Sequence, residues 1–181
     1  MFELKKTIFD GCYEMIPRVL SDQRGKFIKT FHSIAFSTLG LDFQSQEEYY
    51  SVSHKNVIRG LHFQIPPMDH KKIVYCVSGE VLDVVVDLRV GSPTYGQFQM
   101  FELNEAKANM IYIPSGLAHG FLTLSESAIL LYKVTSVYSP EHDGGIHWNS
   151  IGIPWGVDRP IISDRDKSFP SLVDFESPFT F

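Results

Sequence analysis

The stretch Lys72-Ile73-Val74-Tyr75-Cys76-Val77-Ser78-Gly79-Glu80-Val81-Leu82-Asp83-Val84-Val85-Val86-Asp87-Leu88 decides the fold class. β-branched and aromatic residues fill both halves, and Ser78-Gly79-Glu80 makes a tight turn between them. Such side chains pack well on a pleated surface, so the stretch reads as two strands joined by a tight turn. Similar runs recur outward from it. Phe27–Phe31 follows the turn Asp22-Gln23-Arg24-Gly25, and Val57–Phe63 is interrupted by Gly60. Tyr95–Leu103 follows Gly91-Ser92-Pro93, and Asn109–Ile113, Gly120–Leu124 and Ala128–Val137 complete the set. Many short strands punctuated by Gly and Pro predict an all-β double-sheet sandwich or barrel. One helix is predicted over Ile34–Leu39, with Ser33 as N-cap and Gly40 just past its end. The tail beyond Trp155 is rich in Pro, Asp and Ser and is expected to wrap the barrel as ordered loops and short turns. With no repeat and no linker, residues 1–181 read as one domain.

Composition narrows the function. A net charge of −5 argues against a nucleic-acid or membrane-surface binder, because both need a basic field. Cys12 and Cys76 form neither a CxxC pair nor a disulfide framework, which fits a reducing compartment. The first ten residues lack a secretory apolar core, and no apolar run is long enough to span a bilayer. The expected location is the cytoplasm.

Two histidines stand in unusual company. The first lies in Arg59-Gly60-Leu61-His62-Phe63-Gln64, where strict alternation puts Gly60, His62 and Gln64 on one face and lets a ligand approach Gly60 closely. The second lies in Pro114-Ser115-Gly116-Leu117-Ala118-His119, a pattern that resembles the second motif of the cupin jelly rolls. Metal-binding cupins carry H-x-H in their first motif, but here that region reads His62-Phe63-Gln64. A transition metal wants three or more good ligands, so a metal-free site is expected.

Several longer strings are more specific. Val57–Gln64, Lys72-Ile73-Val74, Gly79–Arg89, Gly91–Gly96, Ile113–Leu122, Tyr132-Lys133 and Tyr138–His142 together resemble the dTDP-4-dehydrorhamnose 3,5-epimerase family. The resemblance runs from about Asp22 to Asp166 and implies a cupin jelly roll, a homodimer and no cofactor. It also implies a nucleotide-linked 4-keto sugar as substrate, in surface-polysaccharide sugar biosynthesis. His62 falls on the family's catalytic base and Asp166 on its supporting aspartate. Tyr132 falls on the proton-donating tyrosine and Lys72 on the oxyanion-stabilising lysine. Arg59, His119, Gln64, Arg165 and Tyr138 fall on the substrate side, Tyr138 at the aromatic that stacks on the base. The chemistry suits these residue types. A C4 ketone acidifies the C3 and C5 protons, histidine titrates near neutrality, and a lysine can meet the developing enolate oxygen. Each residue also has a plain structural reading: His62 as a hydrogen-bonded core residue, Tyr132 as packing, Lys72 as a solvated edge lysine, Asp166 as a surface carboxylate.

The nucleotide end departs from the family's pattern. R-G-x-F-x-E reads Arg24-Gly25-Lys26-Phe27-Ile28-Lys29, which places Lys29 where a carboxylate stands. Gln-Asp-Asn-His-Ser reads Glu47-Glu48-Tyr49-Tyr50-Ser51. A glutamate such as Glu47 can accept two hydrogen bonds from guanine, so Arg24, Lys29, Glu47 and Tyr49 form a candidate nucleotide-reading set. These departures favour a GDP-linked 4-keto heptose over a dTDP-linked 4-keto-6-deoxyhexose. The competing functions are a 3,4-ketoisomerase of nucleotide sugars and a non-catalytic nucleotide-sugar binding module.

Overall fold

The computed structural model describes residues 1–181 and is built almost entirely of strands. In chain order these are β1 (Phe2–Lys6), β2 (Tyr13–Pro17), β3 (Val19–Asp22), β4 (Gly25–Ile28), β5 (Glu47–His54), β6 (Ile58–Gln64) and β7 (Lys72–Ser78). They continue as β8 (Glu80–Asp87), β9 (Phe98–Asn104), β10 (Met110–Ile113), β11 (Leu117–Thr123), β12 (Ser127–Val134) and β13 (Asp143–Gly145). A six-stranded sheet runs β1-β2-β10-β7-β12-β5, a five-stranded sheet runs β13-β6-β11-β8-β9, and β3-β4 is a separate hairpin. This is the expected all-β double-sheet jelly roll.

The alternation read in the opening stretch explains the layering. In β8, Val81 and Val85 enter the core between the sheets, while Val84 and Val86, with Leu88 just beyond the strand, face the opposite side. In β7, Val74 and Cys76 face inward, while Ile73 and Tyr75 join an outer cluster with Phe36, Leu41 and Phe43. The outer face of the five-stranded sheet is covered by the tail through Ile153, Trp155 and Phe179. The strands are therefore apolar on both faces because three apolar layers exist, and polar side chains between the sheets stand out.

Several expectations need correction. The strand expected over Phe27–Phe31 ends at Ile28 and belongs to a hairpin whose residues are nearly all exposed. The strand expected from Tyr95 begins at Phe98, because Tyr95 and Gln97 spend their N–H groups on Ser92 and Thr94 carbonyls in a turn. Helix α1 (Ser33–Thr38) is capped by His32, whose Nδ1 accepts from the Ala35 N–H, rather than by Ser33. Gly40 follows it with φ of +75°. The tail contains one short α-helix, α2 (Asp164–Ser168), capped by the Ser163 hydroxyl, and a 3-10 turn at Leu172–Asp174. Strand β5 was not read from Glu47–His54, since its charged and polar residues suit an edge position.

Gly60 serves strand packing instead of facing a ligand. Its φ is +136°, and a Cβ there would meet the Gly120 Cα at 2.5 Å. The close approach is between β6 and β11. Between these strands the register shifts: His119 faces His62, yet Phe121 faces Arg59. One extra residue on β6 makes a bulge, which re-aims side chains. Arg59, rather than Gly60, consequently lines the cavity together with His62 and Gln64.

Candidate active site

Between the sheets lies an open cavity of about 370 Å³. From β6 it receives Arg59, His62 and Gln64, from β7 Lys72, from β11 His119, and from β12 Tyr132. Glu47, Tyr49 and Ser51 of β5, together with Tyr138 and Arg165, also line it. Asp166 stands behind His62. Arg24 and Lys29 do not line this cavity within one chain. Arg24 sits in the exposed hairpin and pairs with Asp22, and Lys29 follows that hairpin.

The His62 side chain reaches the cavity, and its Nε2 lies 2.8 Å from the Asp166 carboxylate. Helix α2 delivers that carboxylate, and the Gly60 N–H donates to its other oxygen at 3.0 Å. Asp166 is buried, which opposes its charge. Hydrogen bonds from His62, Gly60 and Ser163 nevertheless hold its pKa below the ordinary carboxylate value. An ionised carboxylate only accepts, so His62 carries its hydrogen on Nε2 and keeps the Nδ1 lone pair free. Burial lowers the His62 pKa despite Asp166, which keeps the ring neutral near pH 7.

Lys72 is buried, not a solvated edge lysine; its neighbour Lys71 takes the solvent-side role beside Asp42. The Lys72 Nζ donates to the His62 carbonyl at 3.2 Å. Burial brings its pKa down to about 8, with Asp143 and Asp83 opposing. Tyr132 enters from the other sheet, and burial drives its pKa far upward, so the hydroxyl stays protonated. Its partner is Ser51 at 3.5 Å, the outer limit of a hydrogen bond. Arg59 holds the Ser53 hydroxyl at 2.9 Å and makes no ion pair with a carboxylate. It remains a cation available at the cavity wall.

Gln64 turns its amide into the wall, donating to the Met68 carbonyl and accepting from the Ser139 N–H. It holds the 136–139 segment in place. At the mouth, Tyr138 is exposed; its N–H donates to Glu47 at 2.6 Å and its hydroxyl to Asp143 at 3.3 Å. Arg165 pairs with Asp143 and covers the Phe169 ring.

Sequence reasoning missed Asp83, Ser51, His70 and Asp143. Asp83 had a signal: it shares the inward face with Val81 and Val85, where a carboxylate needs a partner. It binds His119 Nε2 at 2.6 Å. His70 is burial-shifted down to about 3 and is therefore neutral. No cluster of three or more His, Cys, Asp or Glu stands at metal-binding spacing.

A family model described as dTDP-4-dehydrorhamnose 3,5-epimerase matches residues 6–174. The chain belongs to that family. It is thus an isomerase acting on carbohydrates, a nucleotide-sugar epimerase, which sets aside the ketoisomerase and binding-module readings. The chain is 41% identical over 176 residues to dTDP-4-dehydrorhamnose 3,5-epimerase of Methanothermobacter thermautotrophicus, covering 94% of this chain and 95% of that one. It is similar in structure to the Legionella pneumophila dTDP-6-deoxy-D-glucose-3,5-epimerase solved with dTDP-4-keto-L-rhamnose, with TM-score 0.95 and 32% identity. That match covers 100% of this chain and 99% of the other. A 3'-monoepimerase from Streptomyces bikiniensis bound to dTDP-quinovose matches with TM-score 0.86 and 34% identity, over 92% and 86% of the two chains. No helix is long and apolar enough to cross a membrane.

Proposed function

We propose that this protein inverts C3 and C5 of a dTDP-linked 4-keto-6-deoxyhexose, a sugar destined for a surface polysaccharide, through an enolate and without a metal. The observation that carries the reading is the meeting of a neutral, carboxylate-backed His62 with Tyr132 from the facing sheet, with Lys72 buried beside them. The free Nδ1 of His62 takes the proton from carbon, and the electron pair moves onto the C4 oxygen. Charge develops there, where Lys72 can meet it; a preorganised cation contributes most at that moment. Tyr132 returns a proton to carbon from the opposite face, which inverts the centre. Arg59, as a free cation at the wall, suits a diphosphate oxygen, and the exposed Tyr138 ring suits stacking under a base. The second face of the nucleotide site has a different character. Glu47 stands beside Tyr138 as an acceptor, which favours GDP-linked 4-keto heptose as a second reading.

The exposed apolar residues Leu20 and Phe27 of the β3–β4 hairpin, and the open edge of β5, support a homodimer that covers them. Light scattering at micromolar concentration checks this, and a monomer there ends the dimer reading.

The substrate is tested by incubation in heavy water with dTDP-, GDP- and CDP-linked 4-keto sugars, read by mass and NMR. The expected result is deuterium at C3 and C5 with inverted product from the dTDP sugar. Inversion of the GDP-heptose alone moves the assignment to the second reading, and no exchange with any of them defeats both. Full activity after exhaustive chelation is expected; stoichiometric metal whose removal and return abolish and restore activity refutes the metal-free mechanism.

A further inference from the structure

The hydroxyl that must give up a proton is poorly held by its own hydrogen bond. Tyr132 has Ser51 at 3.5 Å, and a stronger partner would compete with the substrate for the same hydrogen. The ring must therefore be oriented by its faces and edges. Tyr49 lies directly across the strand pair from Tyr132, and their rings stack with centroids 4.8 Å apart and planes 17° from parallel. His119 meets the Tyr132 ring edge-on at 6.0 Å and 75°. Asp83 in turn fixes His119. The result is a clamp in which one wall is anchored in the core and the other is Tyr49, on an edge strand. Tyr49 stands where the family's pattern has an asparagine, so this chain has a flat aromatic wall where the pattern has a small amide.

We infer that Tyr49 is a positioning residue that holds Tyr132 in line for proton return, a role that rests on the reading of Tyr132 as the acid. Ring contact, not the hydroxyl, does this. Burial and the Glu47 and Asp143 carboxylates push the Tyr49 hydroxyl up to about 12. Offset or parallel aromatic pairs resist rotation of both rings, and cross-strand neighbours are well placed to make them. Loss of the stack leaves His62, Asp166 and Lys72 untouched, so carbanion formation continues while correctly aimed reprotonation becomes rarer.

The test measures deuterium exchange and inversion on one substrate for Tyr49→Leu, Tyr49→Asn and Tyr49→Phe. Exchange in Tyr49→Leu and Tyr49→Asn is compared at saturating substrate, so that any change in nucleotide binding drops out, and is expected to continue. Inversion per exchange event is expected to fall about fivefold, the size of one lost aromatic pair. Tyr49→Phe keeps the ring and is expected to restore the parent ratio. An unchanged ratio in folded Tyr49→Leu and Tyr49→Asn overturns the inference. So does a Tyr49→Phe as impaired as they are, since the hydroxyl would then be the working group. A parent protein that neither exchanges nor inverts removes the epimerase reading itself, and the two failures are thereby distinguished. Circular dichroism checks the fold of each variant; Tyr49 is 40% exposed on an edge strand, so at least the phenylalanine and leucine forms should fold.

Discussion

The molecule contains two histidine–aspartate pairs on adjacent strands, and they differ in what surrounds them. His62 and His119 face each other across β6 and β11. Each gives Nε2 to a carboxylate, at 2.8 Å for Asp166 and 2.6 Å for Asp83. The His119 pair is sealed, with side chains 4% and 0% exposed, whereas His62 is 28% exposed over a 4% exposed Asp166. The Asp83 carboxylate is part of a sheet, and its second oxygen is buried without a partner. The Asp166 carboxylate arrives on a separate tail helix and has both oxygens satisfied. The same two side chains therefore make a pair open to the cavity in one place and a rigid wall in the other. Access and the satisfaction of the carboxylate separate them, not residue type.

The largest effect expected from breaking this contrast is at His62. His62→Asn should keep the fold, because the side chain is partly exposed at the cavity and a polar residue replaces it there. It should abolish C–H exchange, a loss of about 10³-fold for removal of a general base. Near-normal deuterium wash-in by the variant would remove His62 from the mechanism.

Asp166→Asn is the next largest. An amide can donate to Nε2, which drives the ring hydrogen onto Nδ1, where the lone pair is needed. Exchange should fall about 10²-fold with modest loss of stability. Wild-type exchange rates in this variant would show that the tautomer is held by something else.

Tyr132→Phe tests the facing sheet. The ring and its stack survive, so the enolate still forms and is reprotonated from the His62 side. Deuterium should enter without inversion. If exchange disappears as completely as in His62→Asn, enolate formation itself needs the tyrosine hydroxyl.

The candidate site is legible in the sequence where one motif contributes one cavity-lining residue. His62, Tyr132 and Lys72 come from short strings, and the apolar runs of β7 and β8 announce strands. Two geometric features could not be read. The bulge that sets Arg59 on the His62 face depends on the register between β6 and β11. The approach of Gly60 to Gly120 depends on two strands distant in sequence. Alternation assigned Gly60 to the ligand because it is a local rule, and the contact that needs the glycine is non-local. The edge strand β5 escaped notice because edges are protected by charge, and charge conceals strand character.

The pH profile sharpens the comparison at a smaller scale. The base works as the neutral ring, so activity falls as pH drops through the His62 pKa, and burial puts that limb below the ordinary value of 6.5. Lys72 works as the cation, so activity falls as pH rises through about 8. The expected profile of kcat/KM is a bell between these limbs. Lys72→Arg keeps a cation that does not titrate in this range and should extend the alkaline limb, at some cost in rate from altered geometry. An alkaline limb that stays in place in Lys72→Arg assigns it to another group.

The smallest effect belongs to the sealed pair. In Asp83→Asn the amide oxygen can still accept from His119 Nε2, and the amide nitrogen takes the place of a buried oxygen that has no partner. The ring keeps its position and its tautomer, and His62 with Asp166 is untouched. Loss of the charge-assisted part of one hydrogen bond costs about 1 kcal/mol, which corresponds to a melting-temperature drop of roughly 2–4 °C for a chain of this size. Exchange should fall no more than about tenfold, well short of Asp166→Asn, because His119 shapes the wall rather than taking the proton. Melting curves and deuterium uptake on both variants decide the matter together. An Asp83→Asn protein that melts normally but exchanges as slowly as Asp166→Asn would mean that the two pairs share the proton work. The difference in exposure between them would then be a difference of packing alone.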